Sequence, residues 1–385
     1  MKILHAIQTM SPDDGGPPQS VCNLIGAYRV IDGVEAAVLC LDDPQAEFLR
    51  NLAVPVYALG KRSSRFGYTP ALRSWLEANL DNYDAVVIEG IWSYMGLVIP
   101  QVARRKGIPY AVFPHGALDP WFNRRYPLKK LKKQIFWRWQ YPALRDARAL
   151  LFTTEIERDL AATSFSPNQW NSKVIPFGIM PPEGDPEEQR RAWFARIPAL
   201  LTKEGDMRRY LLFFGRIQEK KGCDLLLDAF AGVAQQAPDL HLVFAGPDSG
   251  GLEGRLKQQA RTAGLTGRVH WPGMVLGDAK WGALRNCEAF VLSSHTENFG
   301  IAVVEALACA RAVLISDQVN LWPGVQADGA GLVETDSLEA TTRMLRNWLG
   351  MSRAEQQAFG ARAEQCYRSR YSTIETARAL VELFS

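Results

Sequence analysis

Twice over, this chain alternates short apolar runs with longer stretches of helical pattern. The first series is KILHAIQ (2–8), EAAVLCL (35–41), PVYAL (55–59), DAVVIEG (84–90), PYAVFPHG (109–116) and ALLFTT (149–154). The second is RRYLLFFGRI (208–217), LHLVFAGPD (240–248), RVHWPGM (268–274), EAFVLSSHTE (288–297), RAVLISD (311–317) and a weaker GLVE (331–334). Short runs that stay apolar throughout fit strands covered on both faces, and strands separated by helices pair in parallel. The fold class is therefore α/β, with two doubly wound, Rossmann-like domains expected to face each other across a cleft. Ligands bind outside the carboxyl ends of the strands in such sheets.

With 385 residues the chain is too long for one ordinary core. Its character changes at PFGIMPPEGDPEEQRR (176–191), rich in Pro, Gly and acids. The expected division is an N-terminal, acceptor-binding domain at 1–180 and a linker at 181–207. A second domain at 208–365 follows, with a last helix at 366–385 that could return to the first. Six cysteines, Cys22, Cys40, Cys223, Cys287, Cys309 and Cys366, show no CxxC pair and no zinc spacing, so reduced thiols in a cytosolic protein are expected. MKILHAIQTMSPDDGG has too short an apolar run for a signal peptide, and no window reaches the ~18 apolar residues of a membrane span.

Four strand–loop junctions are chemically loaded. Gly15 and Gly16, in GGPP ahead of a helix, let a ligand approach the backbone; without GxGxxG, a nicotinamide dinucleotide has little support. In FPHG (113–116), His115 stands at a strand tip ahead of Gly116, where an imidazole can touch or polarise a substrate. FFGRIQEKKG (213–222) ends a strand at Gly215 and follows it with Arg216, Lys220, Lys221 and Gly222. An Arg fork and a Lys point charge at a helix start are a phosphate clamp by type, with Lys221 preferred because Gly222 lets a ligand close in. HTENFGIAVVEA (295–306) reads as a loop that opens a helix near Gly300. Asn298, Phe299, Gly300 and Ile301 would offer backbone N–H groups to an anion that Glu297 flanks, while Glu305, further into the helix, could accept from hydroxyls. A diphosphate flanked by sugars meets these demands.

Together these motifs resemble the retaining glycosyltransferases of family four, which have the GT-B fold. The resemblance rests on the GG loop, the HG after a strand, GRIQEKKG, and above all ENFGIAVVE with its Glu-x7-Glu spacing, and it spans nearly the whole chain. It implies a nucleotide-sugar donor, UDP- or GDP-linked, with no further cofactor and no metal. Arg216 and Lys221 would hold the diphosphate and stabilise the charge that builds on it. Glu297 would contact the donor sugar, Glu305 the ribose, and Gly16 the diphosphate from the other domain, with His115 near the transferred sugar. No nucleophile stands out, so reaction on one face, assisted by the leaving phosphate, is likewise implied by the family alone. The loops at Gly246–Pro247–Asp248 and Pro272–Met274 do not distinguish UDP from GDP by type.

On the acceptor side lies DPWFNRRYPLKKLKKQIFWRWQYP (119–142), with eight Lys or Arg and no acid between Asp119 and Asp146. Leu128, Leu131, Ile135 and Trp139 recur at helical spacing. Trp121, Arg124, Arg125, Lys129, Lys130, Lys132, Lys133 and Trp137 are the candidates for membrane or acceptor contact. The same stripe could instead be domain core with lysines on its wet face. An anionic membrane surface suits an acceptor on a lipid carrier, in cell-surface polysaccharide assembly on the inner face of the cytoplasmic membrane. No nucleic-acid recognition module accompanies the basic residues. The competing readings are a GT-B epimerase and a non-catalytic nucleotide- or glycan-binding relative.

Overall fold

The computed structural model describes the chain except residues 51, 53 and 61–63 and the side chains of Phe122 and Arg124. Contacts divide it into two units, residues 1–180 with 371–385, and residues 181–370. The strands of the first are β1 (Lys2–Ile7), β2 (Glu35–Cys40), β3 (Val56–Ala58), β4 (Ala85–Glu89), β5 (Tyr110–Phe113), β6 (Ala149–Phe152) and β7 (Ser172–Val174). Those of the second are β8 (Arg209–Phe214), β9 (Leu240–Ala245), β10 (Val269–Gly273), β11 (Ala289–Leu292), β12 (Val313–Ser316) and β13 (Gly331–Glu334).

Within each unit the strands form one sheet, ordered β3-β2-β1-β4-β5-β6-β7 and β10-β9-β8-β11-β12-β13. Neighbouring strands pair in parallel throughout both sheets. The apolar runs explain this. Ala85–Glu89 and Leu240–Ala245 are buried at every position, as strands covered by helices on both faces must be. In each sheet the order reverses beside the first strand, between β1 and β4 and between β8 and β11. A doubly wound sheet opens its ligand crevice at that reversal.

Two expected boundaries are corrected. Residues 181–207 are no linker, because they carry the helix Pro186–Arg196, which packs within the second unit. Asp185 caps that helix through the Glu187 N–H and Pro186 opens it; buried Trp193 and Phe194 anchor it. The second unit accordingly begins at Pro181, not at 208. The expected terminal helix at 366–385 is two helices, Arg353–Arg370 and Thr373–Phe384, split between the units. Thr373–Phe384 packs on Gly16–Tyr28, where Gly178 is required, since a Cβ there would lie 2.2 Å from Thr373 Cα. Strand β7 carries no clear apolar signal and was not expected.

Among the described residues no helix is long and apolar enough to cross a membrane. The six cysteines are free thiols.

Candidate functional site

The first unit gathers its chemistry at the β1/β4 reversal. A cavity of about 260 Å³ is lined by Gln8 and Thr9 after β1, by Asp14, by Glu89 ending β4, by Ser93, and by His115 after β5. Glu89 is almost wholly buried and bridges two imidazoles. His5 Nδ1 lies 3.0 Å from its Oε1, and His115 Nε2 lies 2.7 Å from its Oε2. His5 Nε2 lies 3.2 Å from the Tyr28 hydroxyl. Burial would raise the Glu89 carboxyl, but the hydrogen bonds from His115 and His5 outweigh it and hold the group at about 2.

His115 itself adopts a left-handed backbone, with φ of 51°, followed by Gly116 at 72°. Such a conformation is costly outside glycine and persists only where the surroundings impose it. Glu157 supplies part of that restraint. One of its oxygens accepts the Gly116 N–H at 2.8 Å, and the other accepts Thr153 N–H and hydroxyl. The ring stacks on Phe113, and Phe177 lies 5.4 Å away. Gly15, at φ 82°, caps the helix Gly16–Tyr28, placing Gly15 and Gly16 at its start next to the cavity residues Asp14, Pro17 and Pro18.

The second unit gathers cations at the β8/β11 reversal. Arg216 follows Gly215 at the end of β8; it is exposed and makes no hydrogen bond or ion pair among the described residues. Lys221 lies in a 3-10 turn, Glu219–Lys221, and its ammonium meets the Glu297 carboxylate. The two loops are tied together. The Lys220 carbonyl accepts the His295 N–H and the Ser294 hydroxyl, each at 2.9 Å. Gly222, at φ 62°, passes so close to β11 that a Cβ would sit 1.8 Å from the Ser293 carbonyl oxygen. Burial, joined by the charges of Lys220 and Arg216, pulls Lys221 down to about 7. The Glu297 carboxylate against it works in the opposite direction.

Gly300, left-handed at φ 83°, caps the helix Ile301–Ala308 as the spacing predicts. The Glu297 N–H donates to Gln318 and its carbonyl accepts from Asn320, which fixes the loop carrying Asn298. The Phe299 side chain is buried, so this residue can offer a ligand its backbone alone. Glu305 is buried one turn inside the helix with Lys280 Nζ 2.5 Å away. Burial pushes its carboxyl up, while Lys280 opposes that.

The basic segment forms the helix Pro127–Arg145. Its stripe of Leu128, Leu131, Ile135 and Trp139 is exposed, Leu128 by 78% and Trp139 by 55%. Arg125, Lys129, Lys130 and Lys132 are exposed beside it. Two candidates are corrected. Trp137 is core, 1% exposed, packed with Phe165 and donating to the Pro167 carbonyl. Lys133 is half-buried with its ammonium 4.8 Å from the Trp92 ring, where burial lowers its pKa. Trp121 is half-buried. The Arg124 side chain lies outside the described residues.

Sequence reasoning missed Glu89, His5, Tyr28 and Lys280. Glu89 had a signal, since DAVVIEG ends an apolar strand on a carboxylate followed by glycine. His5, inside an apolar strand, had a weaker one.

Two family models cover most of this chain: the glycosyl transferase 4-like domain matches residues 15–178, and glycosyl transferases group 1 matches residues 202–365. The chain belongs to the group 1 glycosyl transferases. It is a glycosyltransferase, and the β8/β11 reversal lies within the second matched range. A GDP-mannose:cellobiosyl-diphosphopolyprenol alpha-mannosyltransferase of Xanthomonas oryzae pv. oryzae is 26% identical over 88% of this chain and 85% of its own. A phosphatidyl-myo-inositol mannosyltransferase of Mycolicibacterium smegmatis is 35% identical over 40% of this chain and 39% of its own. Among solved structures, Anabaena HepE in complex with UDP matches with a TM-score of 0.77 at 17% identity, covering 99% of both chains. WaaG, a glycosyltransferase involved in lipopolysaccharide biosynthesis, matches at 0.67 and 14%, covering 98% and 99%. The fold of this glycosyltransferase is GT-B.

Proposed function

We propose that this hexosyltransferase moves a sugar from a UDP- or GDP-sugar to a lipid-linked glycan, with retention and without a metal ion or further cofactor. The observation that carries the reading is the pair of cations at the β8/β11 reversal. Arg216 is exposed and unpaired among the described residues, and Lys221 is held beside it by Gly222 and by the Ser294 hydroxyl and His295 N–H on the Lys220 carbonyl. Cations fixed in place before the reaction stabilise a diphosphate as it leaves without reorganising. Glu297 meets Lys221 and would accept from sugar hydroxyls where a diphosphate takes the ammonium. Glu305 would reach the ribose from its pairing with Lys280. The Xanthomonas relative uses a GDP-sugar on a diphosphopolyprenol acceptor, whereas Anabaena HepE binds UDP.

For the acceptor, the exposed stripe of Pro127–Arg145 supports docking on an anionic leaflet, as a peripheral protein on the inner face of the cytoplasmic membrane. Four large apolar side chains and the lysines beside them match an interfacial helix. Each cation contributes about 1 kcal/mol at such a surface. The test uses GDP-mannose and UDP-glucose with polyprenyl-diphosphate glycans in vesicles. Transfer that survives EDTA and retains the anomeric configuration by NMR supports the reading; an inverted product or full EDTA loss overturns it. The triple variant K129E/K130E/K132E should stop sedimenting with anionic vesicles, and sedimentation unchanged from wild type would rule out docking by this helix.

A further inference from the structure

At the opposite end of the second sheet, where its strands begin, arginines gather from three segments of the chain. Arg208 and Arg209 lead into β8, Arg311 lies just ahead of β12, and Arg353 opens the helix Arg353–Arg370. With Glu288, ahead of β11, they line one cavity of about 840 Å³. That volume lies within the roughly 300–1,000 Å³ of small-molecule sites. Arg216 and Lys221 follow the carboxyl end of β8, so this cavity is a separate place on the fold.

Ion pairing sorts these groups. Glu288 is spent: Arg209 donates to it at 2.6 and 3.1 Å, and the Trp348 indole N–H donates at 2.9 Å. Arg209 also meets Asp239 at 3.2 Å. Arg208, Arg311 and Arg353 form no ion pair among the described residues; Arg208 donates to a neutral carbonyl, that of Leu201, at 3.4 Å. Four arginines against Glu288 and Asp239 leave two positive charges in excess in this cluster.

Arg311 is placed by the backbone beneath it. The helix Ile301–Ala308 ends in a turn where Ala310 is left-handed, at φ 55°, and the Arg311 N–H returns to the Ala306 carbonyl at 3.0 Å. An alanine takes that conformation at a cost, and only where its surroundings impose it. The helix Arg353–Arg370 supplies the constraint. It packs on Ile301–Ala308, and Gly360 passes so near that a Cβ would lie 2.7 Å from the Ala310 carbonyl oxygen. Held this way, Arg311 keeps its Nε–H buried, with no hydrogen-bond partner among the described residues. A guanidinium can only donate, and a buried donor left unmet costs free energy that an acceptor relieves.

The excess charge selects the acceptor. A lone carboxylate brings one negative charge, whereas a phosphomonoester brings about two. Its oxygens also match the planar fork of arginine bidentately. We propose that Arg208, Arg311 and Arg353 bind a phosphate group in this cavity, carried by a phosphomonoester or a diphosphate, at a second anion site distinct from the β8/β11 reversal. The site stands on this cavity alone, whether or not Arg216 and Lys221 hold a nucleotide. Arg209 is its wall, held by Glu288.

The experiment titrates pyrophosphate into the full chain by calorimetry, in an R216A background so that the β8/β11 cations do not compete. R311Q keeps a donor and removes the charge. R353E reverses the charge of an exposed side chain and should leave the thermal melt in place. Each should weaken pyrophosphate binding at least about tenfold, and binding without them should weaken as salt is raised. A second arm separates a soluble phosphate compound from a lipid headgroup. It sediments K129E/K130E/K132E, with and without R311Q, with vesicles of phosphatidic acid and phosphatidylcholine. Pyrophosphate binding that R311Q removes assigns the site to soluble phosphate compounds. Sedimentation that R311Q removes, without pyrophosphate binding, assigns it to a headgroup. Binding in neither arm, or binding that neither R311Q nor R353E weakens, overturns the inference.

Discussion

At the β1/β4 reversal the charged and titratable groups among the described residues are Glu89, its two imidazoles and Asp14. At the β8/β11 reversal they are Arg216 and Lys221 beside Glu297, with Lys280 on Glu305 in the helix that follows. The two sheets run the same strand order through their first six strands, 3-2-1-4-5-6, yet one reversal gathers a carboxylate between two imidazoles and the other gathers cations. Sheet topology fixes where a site opens; the loop residues decide its chemistry.

The largest expected effect tests how the cationic reversal is built. G222A would drive a Cβ into the Ser293 carbonyl at 1.8 Å and force a left-handed backbone on alanine. It should cost about 3 kcal/mol or more in a urea melt. A stable, fully active G222A would mean that Lys221 is not positioned by this contact.

The acidic reversal makes a prediction of similar size in pH. Glu89 is lowered from 4.5 to about 2, so it stabilises the folded state fully above pH 4.5 and ceases to as pH falls toward 2. That contribution is about 3 kcal/mol at 1.36 kcal/mol per unit. E89Q should flatten the loss of stability over this window. A wild-type slope retained in E89Q would place the acid sensitivity elsewhere.

Next comes R216A, which should lower kcat/KM about a hundredfold, or ~2.7 kcal/mol, while the thermal melt stays put. Smallest is E305Q. The amide keeps the shape and an acceptor for Lys280 but loses the charge, and nucleotide affinity should fall about fivefold, near 1 kcal/mol, by calorimetry.

Much of the second unit was legible before its structure. FFGRIQEKKG and HTENFGIAVVEA carry their geometry in glycines, since Gly222 and Gly300 take left-handed conformations that few other residues adopt. The first unit was harder to read. Glu89 and His5 meet across neighbouring strands, with Ile7 in register with Glu89, and no local spacing reports such a pairing. The helix Pro127–Arg145 carries an exposed apolar stripe, Leu128–Leu131–Ile135–Trp139, and a buried face of Trp137, Gln140, Ala143 and Leu144. Periodicity finds the first, and tertiary packing decides that the second, with its polar Gln140, is the buried one. The helix Pro186–Arg196 hid for a different reason: its proline, acid and glycine look like a linker, but Asp185 and Pro186 are the start signals of a helix.

The central claim is that Arg216 and Lys221 form a nucleoside-diphosphate site. It is tested most directly by calorimetric titration of UDP, GDP and their hexose conjugates into wild type and R216A. The account predicts micromolar binding of one base in wild type, and affinity reduced about a hundredfold in R216A. Equal affinity in both proteins, or binding of none of the nucleotides by wild type, would contradict it.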